Sequence, residues 1–290
     1  MPKARKPKRK VPVTKAESST HPGSSSNPAA TRTLIRRFHV LLKQKTRLEK
    51  EIRDGTVPNG RDAKLSLMEI EREIEELGGL GAYQRMSTIG QGSDRGGGSE
   101  KVLIGWLQEL GIHSRMQTEK KRLRLLEVGA LKPDNYASCS SWIDTLPIDL
   151  RSNHPSIMEQ DFLLINEAEH RERWDAISLS LVLNFVPDAK DRGKMLRLAY
   201  SLLRQEGVLF LALPLPCISN SRYFTLEHLD GLMQSIGFST VKTRWKEGGK
   251  MAYWIFCKGP ATSITRNDQA LYEKKTVLRT GKRNNFTILL

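Results

Sequence analysis

Between Lys101 and Gly259 short apolar runs alternate with longer amphipathic ones, and this alternation narrows the possible folds more than any other feature. The short runs are LRLLEVG, IDTLPIDL, MEQDFLLI, WDAISLSLVL and GVLFLALP, beginning at Leu123, Ile143, Met158, Trp174 and Gly207. Each has the length and near-continuous apolar character of a strand covered on both faces. KVLIGWLQELG precedes them as a helix. DRGKMLRLAYSLL and TLEHLDGLMQSIG, among the later runs, place apolar residues at helical steps. Strands alternating with helices predict an open α/β sheet, mostly parallel, with helices on both faces. TVKTRWKEGGKMAYWIFCKG, from Thr240, then reads as an antiparallel hairpin turning at Gly248 and Gly249.

In such a sheet a ligand lies beyond the carboxyl ends of the strands, where the strand order reverses. The first strand brings Glu127 and Gly129 to that edge, and the second brings Asp149, twenty residues after the glycine. A glycine there leaves room for a ligand to approach the backbone, and a carboxylate accepts from both hydroxyls of a ribose. The pair suits any adenosine cofactor. A dinucleotide's pyrophosphate needs two further glycines so that a helix N-terminus can come close. Ala130, Leu131, Lys132 and Pro133 follow instead. S-Adenosylmethionine has no phosphate and tolerates that loss. Asp161, near the third strand's end, is placed to read the adenine amino group, or equally to cap a helix. Asn184, Phe185 and Pro187 end the fourth strand, where an amide and a ring suit a planar base; core packing explains Phe185 equally well. Pro214 and Pro216 end the fifth as another wall of a substrate pocket. Cys217 beside them has no second cysteine and is expected to be inert.

The remainder of the chain divides by composition. Residues 1–30 join MPKARKPKRK to a Ser- and Pro-rich stretch with few apolar residues, and are expected to be a disordered basic tail. Such a run serves as a nuclear or nucleolar address, or as an RNA-contacting arm. Within residues 31–100, TLIRRFHVLLKQKTRLEKEI and RDAKLSLMEIEREIEEL are amphipathic and separated by GTVPNG, which predicts a helical hairpin. It either packs as an appendage or touches RNA through its basic first helix. The glycine-dense residues 78–101 are a linker or a lid, with Tyr83, Gln84 and Arg95 as its polar and aromatic members. Residues 101–290 form the sheet domain with its C-terminal extension.

The formal net charge of +15 favours a polyanionic partner, nucleic acid before a membrane surface. No apolar run approaches the roughly 18 residues that a membrane-spanning helix needs, and the N-terminus lacks the apolar core of a secretory signal. Cys139, Cys217 and Cys257 form no CxxC pair and the histidines are scattered, so no metal site or disulfide frame is expected.

The strings KVLI from Lys101, LLEVGALKPDNY from Leu125, IDLRS from Ile148, EQDF from Glu159, ISLSLVLNFVPD from Ile177 and KRNNF from Lys282 give the chain a likeness. Over about residues 80–290 it resembles the fungal 25S rRNA adenine-N(1) methyltransferase family. The resemblance implies a Rossmann-like class I methyltransferase fold, with a mostly parallel seven-stranded sheet, a C-terminal antiparallel hairpin and S-adenosylmethionine as cofactor. It also implies that Gly129 and Asp149 bind that cofactor. The substrate implied is N1 of an adenine in large-subunit rRNA, met in the nucleolus on a pre-ribosome by a monomer that needs neither metal nor membrane. N1 is its own nucleophile, so no general base is expected. Asn184, Phe185 and Pro214 are the candidates for holding the base. The alternative is a non-catalytic S-adenosylmethionine sensor, as among animal relatives upstream of the TOR kinase complex. It would keep Gly129 and Asp149 but has no use for the basic tail. The final NNFTILL is expected to add a strand to the sheet.

Overall fold

The structure, a computed structural model, describes residues 28–56, 60–79, 81–82, 98–152, 154–259 and 270–290. Tyr83, Gln84 and Arg95 of the glycine-dense stretch, and the tail up to residue 27, lie outside the described residues. Two helices come first, α1 (Pro28–Arg53) and α2 (Gly60–Glu76). They pack against each other around the buried Phe38, Leu41 and Ala63. The salt bridges Arg37–Glu73 and Lys45–Glu71 tie their exposed flanks.

The sheet domain begins with α3 (Glu100–Glu109) and α4 (Ile112–Glu119). Strands β1 (Leu123–Val128), β2 (Ile143–Asp149), β3 (Met158–Glu159) and β4 (Trp174–Ser180) follow. A short α5 (Glu167–His170) lies between β3 and β4. Then come α6 (Ala189–Leu202), β5 (Leu203–Pro214), a one-turn α7 (Pro216–Ser219) and α8 (Leu226–Ile236). The hairpin β6 (Phe238–Trp245) and β7 (Met251–Lys258) closes the domain. The seven strands lie in the order β3-β2-β1-β4-β5-β7-β6, parallel except for β7, which runs antiparallel to both its neighbours. This is the class I methyltransferase sheet expected from the sequence.

Burial explains why the apolar runs became strands. Leu125 and Leu126 of β1 are both fully buried although they face opposite sides of the sheet. Each side has its own core. Leu126, Leu179 and Leu211 pack with Leu196 and Ala199 of α6 and with Leu229, Leu232 and Met233 of α8. Leu125, Phe210 and Ile255 pack with Leu103, Trp106 and Leu107 of α3 and Met116 of α4. Helix starts carry the side-chain acceptors that their free N–H groups need. Asp188 accepts from the Lys190 amide at 2.7 Å, and Thr225 from the His228 amide at 3.1 Å.

Two expectations are corrected. MEQDFLLI is a strand only at Met158 and Glu159, because Asp161 accepts from the Leu163 amide at 2.9 Å and turns Phe162–Leu164 into a 3-10 helix. The closing NNFTILL adds no strand. Its Phe286 and Ile288 enter the α6/α8 core, while its backbone bonds to loops at the carboxyl edge, with one isolated bridge between Ser221 and Asn284. β3 and β6 occupy the two sheet edges, and the segment is held by side chains as well as by its backbone bonds. Arg192 of α6, 3% exposed, donates to Val186 O at 2.8 Å and to Thr287 O, with its guanidinium 4.5 Å from the Phe286 ring centroid.

Candidate active site

The order reverses between β1 and β4, and the candidate residues gather at their carboxyl ends. Val128 is in register with Ile148 on one side and with Leu179 on the other. Gly129 therefore stands between Asp149 and Ser180. The amides of Gly129 and Ala130 both donate to Ile148 O, at 2.8 and 3.0 Å, which pins the ends of β1 and β2 together. Gly129 has φ +77°, and a Cβ there would lie 2.8 Å from Val182 Cγ2. Only glycine takes up this conformation without strain. Leu181, between Ser180 and Val182, also has a positive φ of 57° and donates its amide to Ala212 O at 2.9 Å. A non-glycine residue held in that region is a strained position, and such positions gather at functional sites.

Asp149 is half-buried at the end of β2; its Oδ1 accepts from the Arg151 amide at 2.9 Å and its carbonyl from the Gln160 amide at 2.9 Å. Asp161 is spent partly on the 3-10 turn, as the capping reading has it, so it shapes the loop next to Asp149. No α-helix starts after Gly129; turns run to a 3-10 helix at Ala137–Cys139. A pyrophosphate would lack the helix N-terminus it prefers there. The edge suits an adenosine cofactor without phosphates.

Glu127, which the sequence also brings to this edge, stands next to last in β1. It is 8% exposed, and Asn135 Nδ2 donates to its Oε1 at 2.6 Å. Burial pushes its carboxyl up to about 7 against the stabilising Asn135 bond, and the charge of Glu100 adds to the rise. The Tyr136 hydroxyl bonds the Ser178 side chain beneath, and the Ser99 and Ser180 hydroxyls bond each other, so the start of α3 sits over the end of β4. A positive group close by would favour the ionised form of such an acid. The ammonium and sulfonium of S-adenosylmethionine would supply one, and the phosphate-free edge and the glycine approach fit the rest of it. The signal was present in the sequence: Glu127 and Asn135 sit in the same LLEVGALKPDNY string, but nothing in their spacing said they would bond.

The residues expected to wall the substrate follow β4 and end β5. Asn184 is 6% exposed, and its Oδ1 has no hydrogen-bond partner among the described residues. Phe185 is half-buried rather than a core residue. Pro214 pairs in register with Met251 at the end of β5. Cys217, behind it in α7, is pushed up to about 11 by burial, which suits an inert thiol. Among the described residues no group of His, Cys, Asp and Glu could hold a metal ion. No described helix is long and apolar enough to cross a membrane.

Comparison with known proteins identifies the family. Residues 68–288 match the family model described as Bmt2, 25S rRNA (adenine(2142)-N(1))-methyltransferase. The 25S rRNA adenine-N(1) methyltransferase of Schizosaccharomyces pombe is 36% identical over 262 residues, covering 88% of this chain and 89% of that protein. The 25S rRNA (adenine(2142)-N(1))-methyltransferase of Saccharomyces cerevisiae is 32% identical over 227 residues, 76% of this chain; the match spans 63% of that protein's length. A solved S-adenosylmethionine-dependent methyltransferase of Clostridium acetobutylicum is 12% identical, with a TM-score of 0.45 over 61% of this chain and 99% of that one. A family match from within α2 almost to the last residue, with a relative aligned over nearly its whole length, makes this chain a member of the Bmt2 family of 25S rRNA (adenine-N(1))-methyltransferases.

Proposed function

We propose that this chain transfers a methyl group from S-adenosylmethionine to N1 of one adenine in large-subunit rRNA. The observation that carries the reading is the pinning of Gly129 beside Asp149 at the reversal of strand order, in a member of this family. Gly129 admits the cofactor to the backbone, Asp149 accepts from its ribose, and the turn capped by Asp161 borders its adenine. Glu127 faces its positive end. When bound, the cofactor supplies an electrophilic methyl on a sulfonium. Adenine N1 would take that methyl with its own lone pair in place of the sulfur, so the chain need supply no base to remove a proton. The chain's own contribution is therefore positioning, which can account for most of the acceleration when the reacting atoms are held about 3–3.5 Å apart in line.

The base has to leave its pairing or stack before N1 is exposed. Phe185 offers a ring face to the extruded adenine, Asn184 an amide to its edge and Pro214 a wall. On this reading the protein acts as a monomer. The basic N-terminal residues 1–30 address the protein to the nucleolus, where the substrate is a pre-ribosomal particle. Reverse transcription across rRNA from cells lacking the protein tests the reading, because N1-methyladenosine halts the polymerase. One stop should vanish and return with the wild-type gene. If every stop persists without the protein, the non-catalytic sensor takes the enzyme's place.

A further inference from the structure

Both walls of the proposed adenine pocket are bonded to the same C-terminal segment. On the β5 side, Asn284 Nδ2 donates to Pro216 O at 2.6 Å and its amide to Asn220 O at 2.9 Å. The Arg222 amide donates to Asn284 O at 2.9 Å, and the Leu278 and Arg279 amides both donate to Arg222 O. Arg279 adds bonds to Ser219 O at 3.0 Å and Phe224 O at 2.6 Å. On the β4 side, Arg192 joins Thr287 O to Val186 O, and the Leu289 amide donates to Ala189 O at 2.9 Å. The segment thus runs along the rim from the loop after Pro214 to the loop after Phe185.

Its outer side is strongly basic. Residues 274–290 contain Lys274, Lys275, Arg279, Lys282 and Arg283 and no acid. Arg222 joins them from the facing loop. Lys274, Lys275 and Lys282 are exposed and form no ion pair among the described residues. Glu227 at the start of α8 interacts with Arg279, which is already committed to backbone carbonyls. The half-buried Tyr223 has the Arg222 guanidinium 6.0 Å and the Lys275 ammonium 5.9 Å from its ring centroid. Cations interleaved with an aromatic ring are what a single-stranded nucleic acid meets on its binding proteins. Other cations on the surface are placed or used differently. Lys242 on the edge strand β6 pairs with Glu109, and Arg244 lies over Tyr253.

We propose that residues 274–283, with Arg222 and Tyr223, form a docking surface for the sugar–phosphate backbone of the RNA strand flanking the target adenine. The inference rests on rRNA being the substrate and adds where the strand is held. A nucleotide extruded into the pocket leaves its neighbours at the rim, and this band of unpaired lysines is what the rim presents to them.

The test uses the full chain with Lys274, Lys275 and Lys282 all changed to Gln, none of which touches the cofactor cradle or the pocket walls. The probe is a naked rRNA fragment that the wild type methylates. The variant should raise KM for the fragment at least tenfold, with kcat at saturating RNA, S-adenosylmethionine affinity and thermal stability unchanged. The slope of log affinity against log salt should flatten by about two, at roughly 0.7 per lost phosphate contact. Unchanged KM and slope, with wild-type transfer intact, would overturn the proposal. So would a loss seen on assembled particles but not on naked RNA, which would assign the surface to a protein partner. If the wild type methylates no rRNA at all, the substrate reading fails and the docking surface falls with it.

Discussion

The backbone of Leu289 crosses Gly193 so closely that a Cβ on the glycine would lie 1.8 Å from Leu289 O and 2.7 Å from its carbonyl carbon. These atoms are backbone and cannot rotate away. Gly193 sits in the first turns of α6, where glycine is otherwise a poor choice. Its absent side chain is the seat of the C-terminal segment.

Gly193→Ala should therefore destabilise the protein although alanine is the better helix former. Overpacking of this kind costs about 1–3 kcal/mol, against the less than about 1 kcal/mol gained in helix propensity. Thermal unfolding and limited proteolysis should show a lower melting temperature and earlier cleavage near residues 280–290. A variant of unchanged or raised stability with a protected C-terminus would show that the crossing yields at little cost.

How much of this was legible in the sequence depends on the reach of the interaction. The alternation of apolar runs disclosed the sheet and its hairpin, because burial on both faces is written locally into each strand. The placement of Gly129 and Asp149 at the carboxyl edge was legible for the same reason, since both stand where a strand ends. The third strand was misjudged because one local side-chain bond, from Leu163 to Asp161, outweighed the apolar character of FLLI. The closing NNFTILL was misjudged because its partners, Arg192 and Gly193, lie almost a hundred residues upstream. The Asn135–Glu127 bond was hidden too, since a loop of turns decides it and no period announces it.

At the cofactor edge, Gly129→Arg is expected to abolish S-adenosylmethionine binding, because a side chain there meets Val182 and must adopt φ +77°. Asp149→Ala should weaken binding at least tenfold through loss of charge-assisted acceptors for the ribose. Calorimetry on folded variants measures both. Wild-type affinity in the two together would remove the cradle from this edge.

Glu127 gives the edge a pH dependence. Its carboxyl is raised from an ordinary 4.5 to about 7 in the folded protein, chiefly by burial. Between those values the native state holds a proton that the unfolded chain has released, so stability contributed by the neutral acid falls as pH rises from about 4.5 to 7 and then levels. Glu127→Gln should flatten that slope and stabilise the apoprotein at pH 8, by up to about 3 kcal/mol. Cofactor binding should show the opposite preference, since a positive ligand favours the ionised acid. The wild type is expected to release a proton on binding S-adenosylmethionine below pH 7, seen as a dependence of binding heat on the buffer's ionisation enthalpy. Glu127→Gln should lose that dependence and bind more weakly. A variant that kept the proton release would place the titrating group elsewhere.

The base pocket makes the sharpest demand on two neighbours, Asn184 and Phe185. A buried acceptor without a partner costs about 1–3 kcal/mol, and Asn184 Oδ1 is one among the described residues. A residue kept only for packing would be better served there by an apolar side chain of the same size. Asn184→Leu should accordingly leave thermal stability unchanged or raised, and S-adenosylmethionine affinity within a few-fold, while methyl transfer to rRNA falls at least tenfold. Phe185→Ala should also spare cofactor affinity, and lower transfer about ten- to a hundredfold, since losing one aromatic–base stack costs roughly 1–3 kcal/mol. The polymerase stop at the target adenine reads both variants in complemented cells. If Asn184→Leu lowers stability and leaves the stop at wild-type strength, the amide belongs to the core. If Phe185→Ala restores the stop as well as the wild type does, the adenine stacks on another wall.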